Sequence, residues 1–204
     1  MLDPALITKC ADPSLKPAIV EQFVKAAGSS DPLAVTVRGG GRLVLVPKAG
    51  TPEEAMEIVK QNVGHSVVRV GLTQFPAGVG VKNISEVTSG LVDPCVNLRL
   101  GTRMFAKILR IVSKWYGNPE SAEVFPQVFE DAIDAWKTGE FEAQSVFQAE
   151  DPSGSIAGQG ELDDPNGRYP GKPESASSSS SEPPGENELG RAGMRIDLSR
   201  ILRQ

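Results

Sequence analysis

The sequence predicts an α+β fold, mainly α, with one small β-hairpin lobe and an unstructured tail behind it. Three observations predict this. Apolar residues recur at helical spacing in successive segments up to about position 138. Two β-rich runs flank a glycine cluster just after the first such segment. Beyond about Asp151 large apolar residues almost vanish while Gly, Pro and Ser crowd in, and such a stretch cannot bury enough surface to offset its ordering entropy. The expected organisation is a folded domain over 1–148, an acidic Ser/Pro/Gly-rich tail over 149–190, and a short basic amphipathic segment over 191–204.

Lys16-Pro17-Ala18 open a helix with proline in its first turn, and Ile19, Val20, Phe23, Val24 and Ala27 form one face before Gly28 stops it. Ala27 is therefore the last residue of an amphipathic helix. Leu33 to Val37 and Leu43 to Val46 are β-rich runs on either side of Arg38-Gly39-Gly40-Gly41-Arg42. A phosphate-cradling glycine loop should lead into a helix N-terminus; this one leads into a second extended run and reads as a hairpin turn. Thr51-Pro52-Glu53-Glu54 is a helix start with Thr as N-cap and a capping box, and that helix runs to about Asn62 and ends at Gly64. Val67 to Val70 is a short extended run leading into Gly71-Leu72-Thr73-Gln74. Asp93-Pro94 caps a long helix whose buried stripe is Leu98, Phe105, Leu109, Val112 and Trp115 or Tyr116, stopping near Gly117-Asn118-Pro119. The last helix follows Pro126, carries Phe129, Ile133 and Trp136 on one face, and ends at Thr138-Gly139.

Composition excludes several classes of function. With 21 basic against 26 acidic residues the chain offers no electrostatic footprint for nucleic acid. No apolar run approaches the ~20 residues of a membrane span. Met1 to Cys10 lacks the basic and apolar regions of a signal peptide, so no export address is visible. Cys10 and Cys95 are too few for a disulfide framework and are not spaced as a zinc site. His65 is the single histidine and sits beside Gly64, where it reads as a solvated loop residue. No metal or cofactor is expected. The acids of the tail, Asp151, Glu161, Asp163, Asp164, Glu174, Glu182, Glu186 and Glu188, face only Arg168 and Lys172 up to Gly190 and repel one another. Met194 to Arg203 reads either as a frayed terminus or as a docking or anionic-surface motif.

Two motifs carry a resemblance. Val70-Gly71-Leu72-Thr73-Gln74 is similar to the Gly-Leu-Met-Gln segment, and Asp93-Pro94-Cys95-Val96-Asn97-Leu98 to the Asp-Pro-Cys-x-Asn-Leu segment, of the VirB-type lytic transglycosylases that accompany type IV secretion and conjugation systems. Cys10-Ala11 followed by Pro13 and Pro17 resembles that family's opening, and Asp31-Pro32-Leu33-Ala34 its post-catalytic loop, so the likeness runs from about Leu6 to Phe147. The whole chain resembles more closely the TraH family of conjugal transfer proteins from rhizobial plasmids. The resemblance implies a lysozyme-like domain, a bridge between Cys10 and Cys95, peptidoglycan or type IV secretion components as partners, and a periplasmic location; with no signal peptide visible, the cytoplasm stays open.

Departures from the pattern decide what activity to expect. In the active enzymes one Glu at the end of an early helix donates a proton to the glycosidic oxygen and then acts as base. Their Glu-Ser-x-Phe-Asn-Pro-Leu-Ala falls in register on Ala27-Gly28-Ser29-Ser30-Asp31-Pro32-Leu33-Ala34, and Ala27 has no proton to give. Thr73 replaces the family's Met, and Trp136-Lys137-Thr138-Gly139 stands where the family has Tyr-Asn-Thr-Gly. The resemblance therefore assigns no catalytic residue, and leaves Gln74, Thr73 and Trp136 as substrate-binding candidates. Gln74 reads equally well as a residue that only shapes a turn. Glu21 lies six residues upstream of Ala27, about 9 Å along the helix and on another face. Asp31 is a short loop carboxylate, and Glu53, Glu54 and Glu57 are accounted for by helix capping and a solvated face. Three functions remain: a noncatalytic accessory protein of conjugal transfer, a peptidoglycan-cleaving enzyme using a displaced acid, and a cytoplasmic adaptor working through its tail.

Overall fold

A computed structural model of the chain describes residues 2–119 and 121–153. The expectations of an acidic tail and of a basic terminal segment fall almost wholly on residues 154–204, outside the described residues. The described part is mixed α/β, with helices α1 (Pro4–Cys10), α2 (Pro17–Ala27), α3 (Pro52–Asn62), α4 (Pro94–Trp115) and α5 (Phe125–Thr138). Strands β1 (Val35–Gly39), β2 (Arg42–Val44), β3 (Val67–Val70) and β4 (Phe75–Pro76) form an antiparallel sheet in the order β2-β1-β3-β4, and β5 (Glu140–Phe141) pairs with β6 (Gln144–Ser145).

Local chemistry starts the helices where the sequence places them. The Thr51 hydroxyl accepts from Glu54 N at 3.2 Å while the Glu54 carboxylate accepts from Gly50 N at 2.7 Å. Asp93 caps α4 by accepting from Val96 N at 2.8 Å. α2 has proline in its first turn, and α5 stops at Gly139, whose φ of 86° is the left-handed conformation a glycine adopts freely. The hairpin turn holds Gly40 and Gly41 at φ 57° and 78°, a pair of left-handed positions that a two-residue turn of this hand requires.

Two features differ from the sequence reading, and one alternative it left open is resolved. α1 is an additional helix, capped by Asp3, whose carboxylate accepts from Ala5 N at 2.9 Å. The hairpin lobe is a four-stranded sheet, because β3 returns to pair with β1 in the register Val35↔Val70 to Arg38↔Val67. Of the two candidates ending the α4 stripe, Trp115 is 57% exposed whereas Tyr116 is half-buried. Tyr116 lies about five full turns from Leu98 and so returns to its face, while Trp115 is turned about 100° away.

The core sits around α4, which packs against α1 and α5, while α3 covers one side of β1 and β3. At its centre Phe23 of α2 stacks on Phe105 of α4 with ring centroids 4.1 Å apart, and Trp136 of α5 meets Phe23 edge-on at 5.0 Å. Cys10 at the end of α1 and Cys95 in the first turn of α4 form a disulfide, Cα atoms 5.2 Å apart, across 85 residues of chain. The packed chain continues past the 148 boundary. Lys107 donates to the carbonyls of Phe147 and Ala149, and the Arg110 guanidinium binds the Asp151 carboxylate, with Nε donating at 2.7 Å. That pairing holds the Asp151 carboxyl below its ordinary value.

Candidate functional site

The segment Gly71-Leu72-Thr73-Gln74 leaves β3 and enters a crevice between the end of α2 and the first turns of α4. Two close approaches put it there. Gly28, just past α2, has extended backbone, and a β-carbon on it would run into the carbonyl oxygens of Leu72 and Val24. Gly101 of α4 lies against the Thr73 side chain in the space a β-carbon would occupy. Ser29 N donates to the Leu72 carbonyl at 2.8 Å and Gly71 N to that of Ala34 at 2.8 Å, so the post-helix loop and this segment are laced backbone to backbone.

Asn97 holds the junction together. Its Oδ1 accepts from Thr73 N at 3.0 Å and from the Thr73 hydroxyl at 2.9 Å, and its Nδ2 donates to the carbonyls of Val70 at 3.0 Å and Leu91 at 2.8 Å. Asn97 is 1% exposed, so these bonds spend its side-chain hydrogen-bonding capacity inside the protein. Gln74 has φ 50°, is 8% exposed, and its amide donates to the Gly71 carbonyl at 3.1 Å.

The predicted site residues therefore do not gather round an open cleft. Thr73 and Trp136, expected to border one, are both 0% exposed: Thr73 is bound to Asn97, and Trp136 is enclosed by Phe23, Phe75, Phe105 and Phe147. Trp136 sits where α2, α4 and α5 cross, and Thr73 lies against α4 at Asn97 and Gly101. Gln74 is buried, with its side-chain amide bonded within its own turn. Ala27 is half-buried at the end of α2 with only a methyl group to present. Asp31 accepts from Leu33 N at 2.9 Å and lies 3.6 Å from Lys48, which fits a loop-stabilising carboxylate; Glu21 and His65 are exposed. Among the described residues no group of His, Cys, Asp and Glu could hold a metal ion.

Arg69 was not singled out by sequence, yet it joins the sheet to α5. Its guanidinium donates to the carbonyls of Gln74 at 3.2 Å, Trp136 at 2.6 Å and Lys137 at 2.9 Å, and lies over the rings of Trp136 and Phe147. Burial, with the charge of Arg38 added, pulls its pKa down to about 10. Open space beside the crevice is a groove of about 500 Å³ between α2 and α5, lined among others by Gln22, Ala26, Phe129, Glu130 and Asp134. Apolar edges with two carboxylates on their rim can receive a sugar face and hydrogen-bond its hydroxyls.

The fold and this junction define a small, disulfide-closed α/β domain whose motif residues are used for packing. Comparison gives the family: the chain belongs to the TraH_2 family, which matches residues 1–202. It is 64% identical over 202 residues to a protein of Sinorhizobium fredii (strain NBRC 101917 / NGR234) named "Uncharacterized protein y4dP", covering 98% of each chain. No solved structure matches. Membership in the TraH family of conjugal transfer proteins gives the chain a role related to conjugal transfer. No described helix is long and apolar enough to cross a membrane, and the Cys10–Cys95 disulfide is compatible with an extracellular or periplasmic location.

Proposed function

We propose that the chain is a noncatalytic accessory protein of a conjugative type IV secretion system. In this reading it has a degenerate lysozyme-like fold and works in the periplasm, binding peptidoglycan or a component of the transfer apparatus without cleaving glycan. The observation that carries the reading is Ala27: a methyl group stands at the end of α2, beside the loop laced to Gly71-Leu72, where the resemblance calls for the proton-donating Glu. General acid–base catalysis at one position contributes about 10²–10⁴-fold, and a methyl group supplies none of it. The groove between α2 and α5 is the surface this reading assigns to glycan. Its two carboxylates, Glu130 and Asp134, also define the competing reading, an enzyme with a displaced acid.

Incubating the full chain with insoluble peptidoglycan sacculi tests both. The expected result is co-sedimentation with no release of anhydro-muropeptides. Release that is lost in Glu130→Gln or Asp134→Asn would establish the displaced acid and overturn the noncatalytic reading. Cleavage gained by Ala27→Glu, absent from the native chain, would show that the lost acid alone separates this protein from activity.

A further inference from the structure

The outer edge of the sheet carries chemistry that no strand among the described residues uses. β2 is the terminal strand in the order β2-β1-β3-β4, and its far side has no neighbour among the described residues. Leu43 is 62% exposed, Val44 40% and the following Leu45 93%. Edge strands in monomeric proteins are commonly blunted by charge or proline because an open backbone edge templates pairing with another chain. Here Leu-Val-Leu stands in the open position.

The register says which backbone groups are free. Gly39↔Arg42 closes the two-residue Gly40-Gly41 turn, so it is a hydrogen-bonded pair, and alternation makes Val37↔Val44 the next one. Leu43 lies between them in a non-hydrogen-bonded position. Its N–H and C=O therefore point to the open edge, and the exposed Leu45 follows just past the end of β2. An outward donor and acceptor on an edge strand, with exposed apolar side chains beside them, match an extended peptide lying along β2.

Charge selects among extended peptides. Arg42 lies on β2 itself, and Arg38 stands directly across from Leu43 on β1. Both are exposed, and neither forms an ion pair with a carboxylate among the described residues, where the pairs are Lys48–Asp31 and Arg110–Asp151. A second copy of this chain would bring a matching pair of guanidinium groups to the same edge with no carboxylate between them.

We infer that β2 is a strand-addition site for an extended, acidic segment of a partner protein, with apolar residues opposite Leu43 and Leu45 and a carboxylate opposite Arg42. The inference deepens the accessory reading above, and rests on it, by stating how a protein partner is engaged. Its test is independent of sacculus binding, so either can fail alone.

Random twelve-residue peptides displayed on phage are selected against the full chain, and the enriched sequences are made synthetically. The expected peptides alternate apolar residues with Asp or Glu, have no central proline, bind more weakly as salt rises, and slow hydrogen exchange at the Leu43 amide. Leu45→Pro bars extension of β2 past Val44 without removing a bond of the β1 ladder, and should weaken binding at least tenfold. Arg42→Glu, a change on exposed surface, should shift selection to basic peptides. Failure to enrich any peptide, protection at another surface, concentration-dependent self-association through β2, or unchanged affinity in a folded Leu45→Pro or Arg42→Glu variant would each overturn the proposal.

Discussion

The two sides of the one four-stranded sheet are finished in opposite ways. Where β3 and β4 meet the helices, Asn97 takes up Thr73, Val70 and Leu91, and Arg69 takes up the last carbonyls of α5. At the β2 side, backbone groups, leucine side chains and guanidinium charge are all left toward solvent. The Gly71–Gln74 segment is thus spent on joining sheet to helices, whereas the β2 edge keeps its backbone and side chains open for recognition.

The sharpest way to break that contrast is to remove one side chain from each side. Asn97→Ala should strand the buried Thr73 N–H and the Val70 and Leu91 carbonyls, each costing about 1–3 kcal/mol, for a loss of about 5 kcal/mol. Leu45→Ser at the open edge should change stability by no more than about 0.5 kcal/mol. Urea denaturation of the two variants checks both values. A cost for Asn97→Ala below about 1 kcal/mol would mean that the junction is not the closed structure described.

Reduction of the disulfide should have the next largest effect. Opening a loop of 85 residues costs about 4.6 kcal/mol in the chain-entropy model, read as a fall in urea midpoint on adding reductant or in Cys10→Ala/Cys95→Ala. Because the bridge anchors the start of α4 one turn from its neighbours in the junction, hydrogen exchange should rise first around Asn97 and Thr73. Equal loosening of β2 would blur the contrast between the two sides.

Gly101→Ala should cost about 2 kcal/mol, since its new methyl must displace a Thr73 side chain that Asn97 holds in place. Gly78→Ala, where a β-carbon meets nothing within 4 Å, is the control and should be nearly neutral. Thermal melts of the pair separate close packing from the general effect of replacing glycine.

The helices with local signals were legible in the sequence: Pro17, Thr51 and Asp93 mark the starts of α2, α3 and α4, and apolar spacing gives their buried faces. What was not legible depends on distant residues or on atypical turns. The β3–β1 pairing joins Val70 to Val35, and the β5–β6 turn puts Glu142 and Ala143 at φ 49° and 59° with no glycine to announce it. α1 is a seven-residue helix whose cap, Asp3-Pro4, was readable but whose apolar face is too short to show a period. Asn97 lies within the Asp93–Leu98 motif, but its role does not show in sequence because its partners lie up to 27 positions away; Arg69 is hidden for the same reason, its α5 partners being 67 and 68 positions on. Trp136 matched a cleft position by alignment, and nothing in one sequence tells a cleft aromatic from a core one.

The smallest expected effect tests where the folded chain lets go. Asp151 binds Arg110 of α4 on a partly exposed surface, so the pair is screened by water and contributes less than about 1 kcal/mol. Its carboxyl is held below the ordinary value, chiefly by the hydrogen bond from Arg110. The sign follows from linkage: the folded state holds this proton more weakly than the unfolded chain, so the contribution is complete above the unfolded value near 4 and fades as pH falls through the lower folded value. Melting temperatures of the native chain and Asp151→Asn, measured side by side from pH 6 to pH 2, should therefore differ by a small constant amount in the upper range and converge at the acid end. Taking the difference cancels the other carboxylates. A gap that is absent at pH 6, or that widens with acid, would show that residues 149–153 are not clasped to α4 and that the folded chain ends nearer the 148 boundary.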